Sequence, residues 1–415
     1  MSSSYTPKLD EWPQEVRDLY DPVRVIGKGS FASVWMATQK EPYCDKGQVA
    51  IKIIKDDEYA EREIEILSEL TSKHPHPNVV SLIRDLKAEN GGVSKDSRSL
   101  SVRFIVLSLA RGPTLNFILG EFGALGIVVA QSISRQLVDV VAFLHDHAVI
   151  HRDIQPCNII VSGGMMNDDL WWSDTLDVDG KVLGMAQQCH ITLVDFGFAR
   201  ALSPNEIDSD TWRNKITMDH SDTSIIDDSM SHKRVLDLSA VGTRNYAAPE
   251  ILSGIRNAVD ILNSSIRGSK CYTGHQLLKR TLTACASSYG MVADAFSVGA
   301  TICHMVTGVP AGSDVDAFIA AKNHPLIKLA RSLKKRLKKS KRIRAKKYRT
   351  ISDLPGDVKN LIRGLTHRDP MRRATVRSVT QHQWIKKSTT APLDMVHREP
   401  IAYLECCGHF YKQYE

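Results

Sequence analysis

The sequence predicts an α+β chain in which a small β-rich part precedes a larger helical part. Three observations point there. β-type runs gather early, at 23–26, 33–37, 49–54 and 102–109. Helical periodicity dominates from Leu115 onward, notably at 133–145, 289–307 and 357–365. The 415 residues are 42% hydrophobic and 24% charged, an ordinary globular composition with length for a large core and one or two domains.

Taken in order, the runs 23–26 and 33–37 flank a glycine turn, and 49–54 (VAIKII) is a compact β-branched strand with one lysine inside it. The stretch 58–70 (EYAEREIEILSEL) sets Ile64, Leu67 and Leu70 on one helical face and acids on the other. His74-Pro-His-Pro-Asn78 ends that helix. Residues 88–100 are rich in Gly, Ser, Asn and Lys and predict a mobile loop. The apolar run 291–309 is interrupted by Asp294, Ser297 and His304, which predicts a buried core helix.

Several functional classes are disfavoured. Met1 to Asp10 carry no signal-peptide core, and no run approaches the roughly 18 apolar residues of a membrane span, so no transmembrane segment is expected. The eight cysteines form no CxxC pair, which argues against structural zinc and for reduced thiols. The +7 net charge is concentrated. Residues 331–349 (RSLKKRLKKSKRIRAKKYR) hold 12 Lys+Arg and no acid, leaving −5 on the rest. That run is open to several readings: a nuclear import signal, a patch for nucleic acid or acidic partners, or a solvated charged helix.

The chemistry sits in a few short segments. His151-Arg-Asp-Ile-Gln-Pro-Cys-Asn158 follows an apolar helix and precedes the strand-like 159–161. Ile191-Thr-Leu-Val-Asp-Phe-Gly197 is an apolar strand running into an acidic turn. Gly27-Lys-Gly-Ser-Phe-Ala-Ser-Val34, Val49-Ala-Ile-Lys52 and Gly242-Thr-Arg-Asn-Tyr-Ala-Ala-Pro-Glu250 complete the set. Taken in chain order, the five resemble the glycine-rich loop, lysine strand, catalytic loop, DFG motif and activation-segment end of eukaryotic protein kinases, serine/threonine type. The resemblance spans roughly 21–385.

It implies the bilobal protein kinase fold, with a small β-rich N-lobe at 21–109 and a larger helical C-lobe at 110–387. It leaves an N-terminal extension at 1–20, a tail at 388–415, and insertions near 162–188, 202–239 and 255–287. The implied activity is transfer of the γ-phosphoryl group of ATP, with Mg²⁺, to serine or threonine hydroxyls of protein substrates. Ile26, Gly27, Lys28, Gly29, Ser30, Phe31 and Ala32 would cover the phosphates, Ala32 standing where the family has a third glycine. Lys52 would contact the α/β-phosphates and pair with Glu63. Val34, Ala50 and Ile160 would sandwich the adenine, beside Leu107 in the gatekeeper position. Backbone groups of Ser108 and Ala110 would bond the adenine edge, and Thr114 the ribose. Asp153 would accept the substrate proton, and Asn158 and Asp195 would hold the metal. Glu250 would pair with Arg373, Asp294 would brace the catalytic-loop backbone, and Leu67, Leu82, His151 and Phe196 would stack.

Gln155 departs from the family, which carries lysine there. A neutral in place of a charge-assisted bond to the γ-phosphoryl is worth roughly 1–2 kcal/mol, or about ten- to thirtyfold in rate. The expectation is therefore an active kinase, with a weakly active or inactive nucleotide-binding scaffold as the alternative. Arg152 is a candidate clamp for a phosphate placed by an upstream activating kinase; a constitutive acid such as Asp228 is the competing reading. The expected location is cytoplasmic and/or nuclear.

Overall fold

Side-chain alternation along three adjacent strands accounts for the first part of the chain. The computed structural model describes residues 12–29, 32–40, 47–88, 101–163, 188–202, 245–252, 290–310 and 349–386. Ser30, Phe31, Thr243, most of the 88–100 loop, nearly all of the three insertions, the basic run up to 348 and the tail lie outside the described residues. The described residues fall into two compact units, one ending at Ala110 and one starting at Arg111.

In the first unit, β1 (Tyr20–Lys28), β2 (Ala32–Gln39), β3 (Gln48–Lys55), β4 (Leu82–Ala88) and β5 (Val102–Ser108) form one antiparallel sheet in the order β1-β2-β3-β5-β4. The sheet has two distinct faces, because successive side chains point to opposite sides. Trp35, Ala37, Val49, Ile51, Ile53, Val102, Phe104 and Val106 share one face and pack with Trp12, Val16 and Tyr20. Val16 comes from the short helix α1 (Gln14–Leu19). The Trp12 ring meets Trp35 and Phe104 edge-on at 5.7 and 5.6 Å. Such pairs add about 0.5–1.5 kcal/mol each beyond burial. The packed core thus reaches back into the stretch read from sequence as an extension.

The other face carries the polar chemistry. Register places Gly27, Val34, Lys52 and Ile105 in one row, and Met36, Ala50, Leu107 and Leu82 in the next. Helix α2 (Glu58–Ser72) starts at Asp57, whose Oδ1 accepts from the backbone N–H of Tyr59 and Ala60 at 3.1 and 3.2 Å. Its buried stripe is Tyr59, Ala60, Glu63, Ile66, Leu67 and Leu70. Ile66 therefore takes the inward place that the sequence pattern assigned to Ile64. The stripe is rotated because Glu63 is drawn into it by a buried lysine. Strand β4, not singled out in the sequence, is held by Arg103, whose Nε and Nη2 donate to Asp85 at 2.9 and 2.8 Å.

The second unit is mainly helical: α3 (Leu115–Phe122), α4 (Ile127–Asp146), α5 (Met291–Thr307), α6 (Gly356–Leu365), α7 (Val376–Val379) and α8 (Gln383–Lys386). Between α4 and α5 lie β6 (Val149–Ile150), β7 (Ile159–Ser162), β8 (His190–Leu193) and β9 (Arg200–Ala201), paired β6 with β9 and β7 with β8. Helix α5 is buried on every side, as an all-round apolar helix must be. At Gly299 an added Cβ would lie 2.6 Å from Leu365 Cβ, so only glycine admits this approach of α5 to the end of α6. Among the described residues α4 alone has the length and apolarity of a membrane span. Here it is a core helix packed on α5, α7, α8 and β8. Arg349, the last residue of the basic run, donates Nη1 to the carbonyls of Leu125 and Val306 at 2.6 and 3.2 Å, and is therefore part of this core rather than of a charged patch.

Candidate active site

In the first unit, Lys52 stands mid-strand on β3 with its amine among apolar neighbours. An unpaired buried charge is costly. Glu63, one turn into α2, meets it with both oxygens, at 2.7 and 2.8 Å from Nζ. Both side chains are nearly sealed from solvent, at 9% and 2% exposure. Glu61 and Glu65, on the same helix, are exposed instead. Ile26, Gly27 and Lys28 end β1, and Gly29 donates its N–H to Ala32 O at 2.9 Å, closing the turn into β2. Ala50 and Leu107 are buried partners across β3 and β5. Ser108 donates its N–H to Ser81 O and its Oγ accepts from Ser81 N–H, at 2.9 and 3.0 Å. Ala110 is the last described residue of this unit.

In the second unit the segment 151–158 is built around Asp153. Asp294, at the start of α5, accepts from the backbone N–H of His151 (2.8 Å) and Arg152 (2.9 Å) and lies 3.2 Å from His145 Nε2. Full burial opposes its charge, yet these bonds outweigh burial and hold its carboxyl below the usual range. Arg152 has a left-handed backbone (φ 65°), a strained conformation that costs about 1–2 kcal/mol. Its Nε donates to Phe198 O at 2.6 Å, and Asp294 holds its N–H, so the strain is locked in. The His151 and Phe196 rings meet edge-on at 4.8 Å.

The Asp153 carboxylate is buried and clamped by two amides. Asn158 Nδ2 donates to Oδ2 at 2.7 Å, and Gln155 Nε2 donates to Oδ1 at 2.9 Å. Gln155, expected from sequence to face a phosphoryl group, is placed by the structure on the side chain of Asp153. Burial first, and the nearby Asp195 charge second, push Asp153 up to about 7, against the lowering effect of the two amides. Asp195 has φ 64°, and its Oδ1 accepts from Gly197 N–H at 3.3 Å.

This donor set fits a magnesium ion. Asn158 spends its amide nitrogen on Asp153, leaving Oδ1 as its remaining ligating atom, and Asp195 supplies carboxylate oxygens. Like charges at Asp153 and Asp195 are what a bound cation would relieve. Among the described residues no three His, Cys, Asp or Glu gather for a metal. Two hard oxygen ligands suit magnesium, which keeps water and takes phosphate oxygens. Ile160 lies on β7 and bridges to Thr114, whose Oγ1 accepts from Phe117 N–H at 3.1 Å as the cap of α3. The Thr114 hydroxyl proton remains its available donor.

Glu250 and Arg373 form a two-pronged pair at 2.7 and 2.9 Å. Sequence reasoning missed the bond between Tyr246 and His304, since neither residue carries a local signal for the other.

A protein kinase domain model matches residues 20–281. The chain is 22% identical over 406 residues to extracellular signal-regulated kinase 7 of Drosophila melanogaster, covering 96% of this chain and 36% of that protein. It is 25% identical over 374 residues to a putative ribosomal protein S6 kinase alpha-2 of Caenorhabditis elegans, covering 88% and 35%. Another relative is the rat serine/threonine-protein kinase SIK1, 23% identical over 379 residues, covering 89% and 33% (Rattus norvegicus). The chain thus spans about a third of the length of these relatives. Among solved structures it is similar to the Rad53 kinase domain and SCD2, at 17% identity and a TM-score of 0.48, covering 91% of each chain. With the family model over more than half its length, this chain belongs to the protein kinase family.

Proposed function

We propose that the chain is an ATP-dependent protein kinase that phosphorylates serine and threonine hydroxyls of protein substrates. The observation that carries this reading is Asp153: a buried carboxylate oriented by two amides, beside Asp195 and Asn158. A base so held can take the proton of a substrate hydroxyl as its oxygen attacks the γ-phosphorus and the bond to the β-phosphate oxygen breaks, releasing ADP. Lys52, kept extended by Glu63, is the cation for the α/β-phosphates. Asn158 and Asp195 would hold Mg²⁺, which when bound neutralises phosphate charge. Positioning and electrostatics supply the catalysis, so the rigid placement of these groups matters more than any covalent chemistry of the protein.

The decisive experiment incubates the chain with γ-labelled ATP, Mg²⁺ and a degenerate serine/threonine peptide library, with Asp153→Ala as control. Label in the library with wild type alone supports the reading; equal incorporation by both overturns it.

One observation favours a second reading, a nucleotide-binding scaffold of weak activity. Gln155 occupies Asp153 Oδ1, an oxygen the substrate hydroxyl would need, and brings no positive charge. A thermal shift with ATP and Mg²⁺ in the absence of any phosphotransfer would select it.

A further inference from the structure

The start of α2 is held from outside the helix as well as by its own cap. Asp56, the residue before the cap, donates its N–H to Ser101 O at 3.0 Å. Its carboxylate accepts from Arg103 Nη1 at 2.7 Å and from Ser101 Oγ at 3.0 Å, and lies 2.7 Å from Lys87 Nζ. Arg103 in turn meets Asp85 of β4 with Nε and Nη2, at 2.9 and 2.8 Å. Its Nη1 is also 4.0 Å from Glu61, in the first turn of α2. One guanidinium on β5 therefore bridges β4 and the start of α2, and its planar fork suits two carboxylates at once. The Asp56 and Arg103 side chains are only 8% and 14% exposed, which sets this contact apart from a loose surface pair.

Strand register shows what the bridge controls. Arg103 pairs with Ile54 of β3, and Ile105 pairs with Lys52. Arg103 and Lys52 thus lie on one face of the sheet, about 7 Å apart along the strands. Helix α2 is tied to that face at its start through Asp56 and Arg103, and further along through Glu63 and Lys52. Its end is tied to β4, since Leu82 donates its N–H to Thr71 Oγ1 at 2.9 Å. A helix held at one polar contact can pivot about it; held at three, its rotation and its height over the sheet are set. All three ties lie within the first unit, and every partner belongs to this chain.

We infer that Arg103 is a positioning residue for phosphotransfer: by joining Asp56 to Asp85 it holds the start of α2 on β4 and β5, so that Glu63 meets Lys52 without an activating partner bound to the helix. This rests on the phosphotransfer reading above. None of the residues implied for the nucleotide or for the substrate hydroxyl is among the hydrogen-bond partners of Arg103. Its effect passes through α2. Without the bridge the helix samples an outward position, and the turnover number falls with the fraction of molecules whose Lys52 is paired.

The test compares the full wild-type chain with Arg103→Met, Asp85→Asn, Glu63→Gln and the double variant Arg103→Met with Glu63→Gln. Steady-state kinetics use the serine/threonine peptide library at saturating ATP. Arg103→Met should lower kcat about tenfold with KM for the library unchanged, as expected when a charge-assisted bond sets the competent fraction. Asp85→Asn keeps the Asp56 bond, guards against a Met variant too unstable to fold, and should lower kcat roughly threefold. Because Arg103 acts through Glu63, the double variant should be within about twofold of Glu63→Gln alone. Multiplicative losses, a rise in library KM matching the fall in kcat, or a wild-type kcat in both Arg103→Met and Asp85→Asn would overturn the inference. Amide hydrogen exchange without nucleotide is measured in parallel. Faster exchange is expected over 58–66 and not over 49–54 of β3 in Arg103→Met and Asp85→Asn. Equal acceleration of both stretches would mean general destabilisation and would also overturn it. Should wild type transfer no phosphate, the phosphotransfer reading fails by itself. The exchange comparison still decides the tie on α2, and unchanged exchange over 58–66 would remove it.

Discussion

A buried cation in the first unit faces a buried anion, whereas in the second unit a buried anion faces another anion. Lys52 and Glu63 neutralise each other at 2.7 and 2.8 Å. Asp153 has Asp195 for a neighbour and only neutral amides for partners. The first arrangement pairs opposite charges; in the second, Gln155 and Asn158 meet the Asp153 carboxylate with neutral donors. The difference teaches where ligand energy is to be gained. A cation and a phosphate chain would relieve the second arrangement, while the first needs only to keep its lysine extended.

The comparison is broken most severely at Asp153. Asp153→Asn should lower phosphotransfer by about 10²–10⁴, the usual contribution of a positioned base. The same change should stabilise the cation-free fold at neutral pH. Asp153 holds its proton up to about 7 when folded and releases it near the ordinary carboxylate value of 3.8 when unfolded. Between those values the folded state binds more protons, so the Asp153 contribution to stability falls as pH rises from about 4 to 7. His304 works in the opposite direction. Its folded value is lowered to about 4 from 6.5, so its contribution rises with pH over that interval. Urea unfolding in chelator, wild type against Asp153→Asn across pH 4–8, isolates the Asp153 slope; parallel curves would refute it.

Next in size is the complete pair. Glu63→Ala strands a buried ammonium and should cost about 3–5 kcal/mol, whereas the double change Lys52→Met with Glu63→Leu should recover most of that stability. Denaturant midpoints measure both. A smaller effect separates the roles of charge and geometry at position 155. Gln155→Lys keeps a donor near Asp153 and adds a cation, and should raise the turnover number roughly tenfold. No change, or a fall, would mean that the amide clamp matters more than charge. The smallest effect is thermal. Mg²⁺ without nucleotide should raise the melting temperature of wild type by a few degrees and leave Asp195→Asn unmoved, since only a ligand that favours the folded state stabilises it.

Much of the site was legible because its groups lie in short contiguous stretches. His151 to Asn158 and Asp195 to Gly197 each fit in one turn or loop, so their spacing in sequence is nearly their spacing in space. Lys52 was legible for another reason: a lone lysine inside a β-branched strand demands a counter-charge, and the kinase resemblance points to Glu63 on the neighbouring helix. Other contacts had no local trace. Trp12 lies in an aperiodic stretch, and its burial follows only once β2 and β5 present Trp35 and Phe104 to it. Gln155 could have faced either a phosphoryl group or Asp153, and a rotamer decides between them.

By itself, then, the sequence determined the α+β order of elements, the family and the identity of both charged centres, because strand alternation, helical period and motif spacing act over a few residues. Only the tertiary structure decided how each centre is balanced. It turned Gln155 onto Asp153 and joined Tyr246 to His304 across 58 positions. Those outcomes depend on which face of a helix is buried and which polar group must find a partner there, and burial is a property of the packed chain.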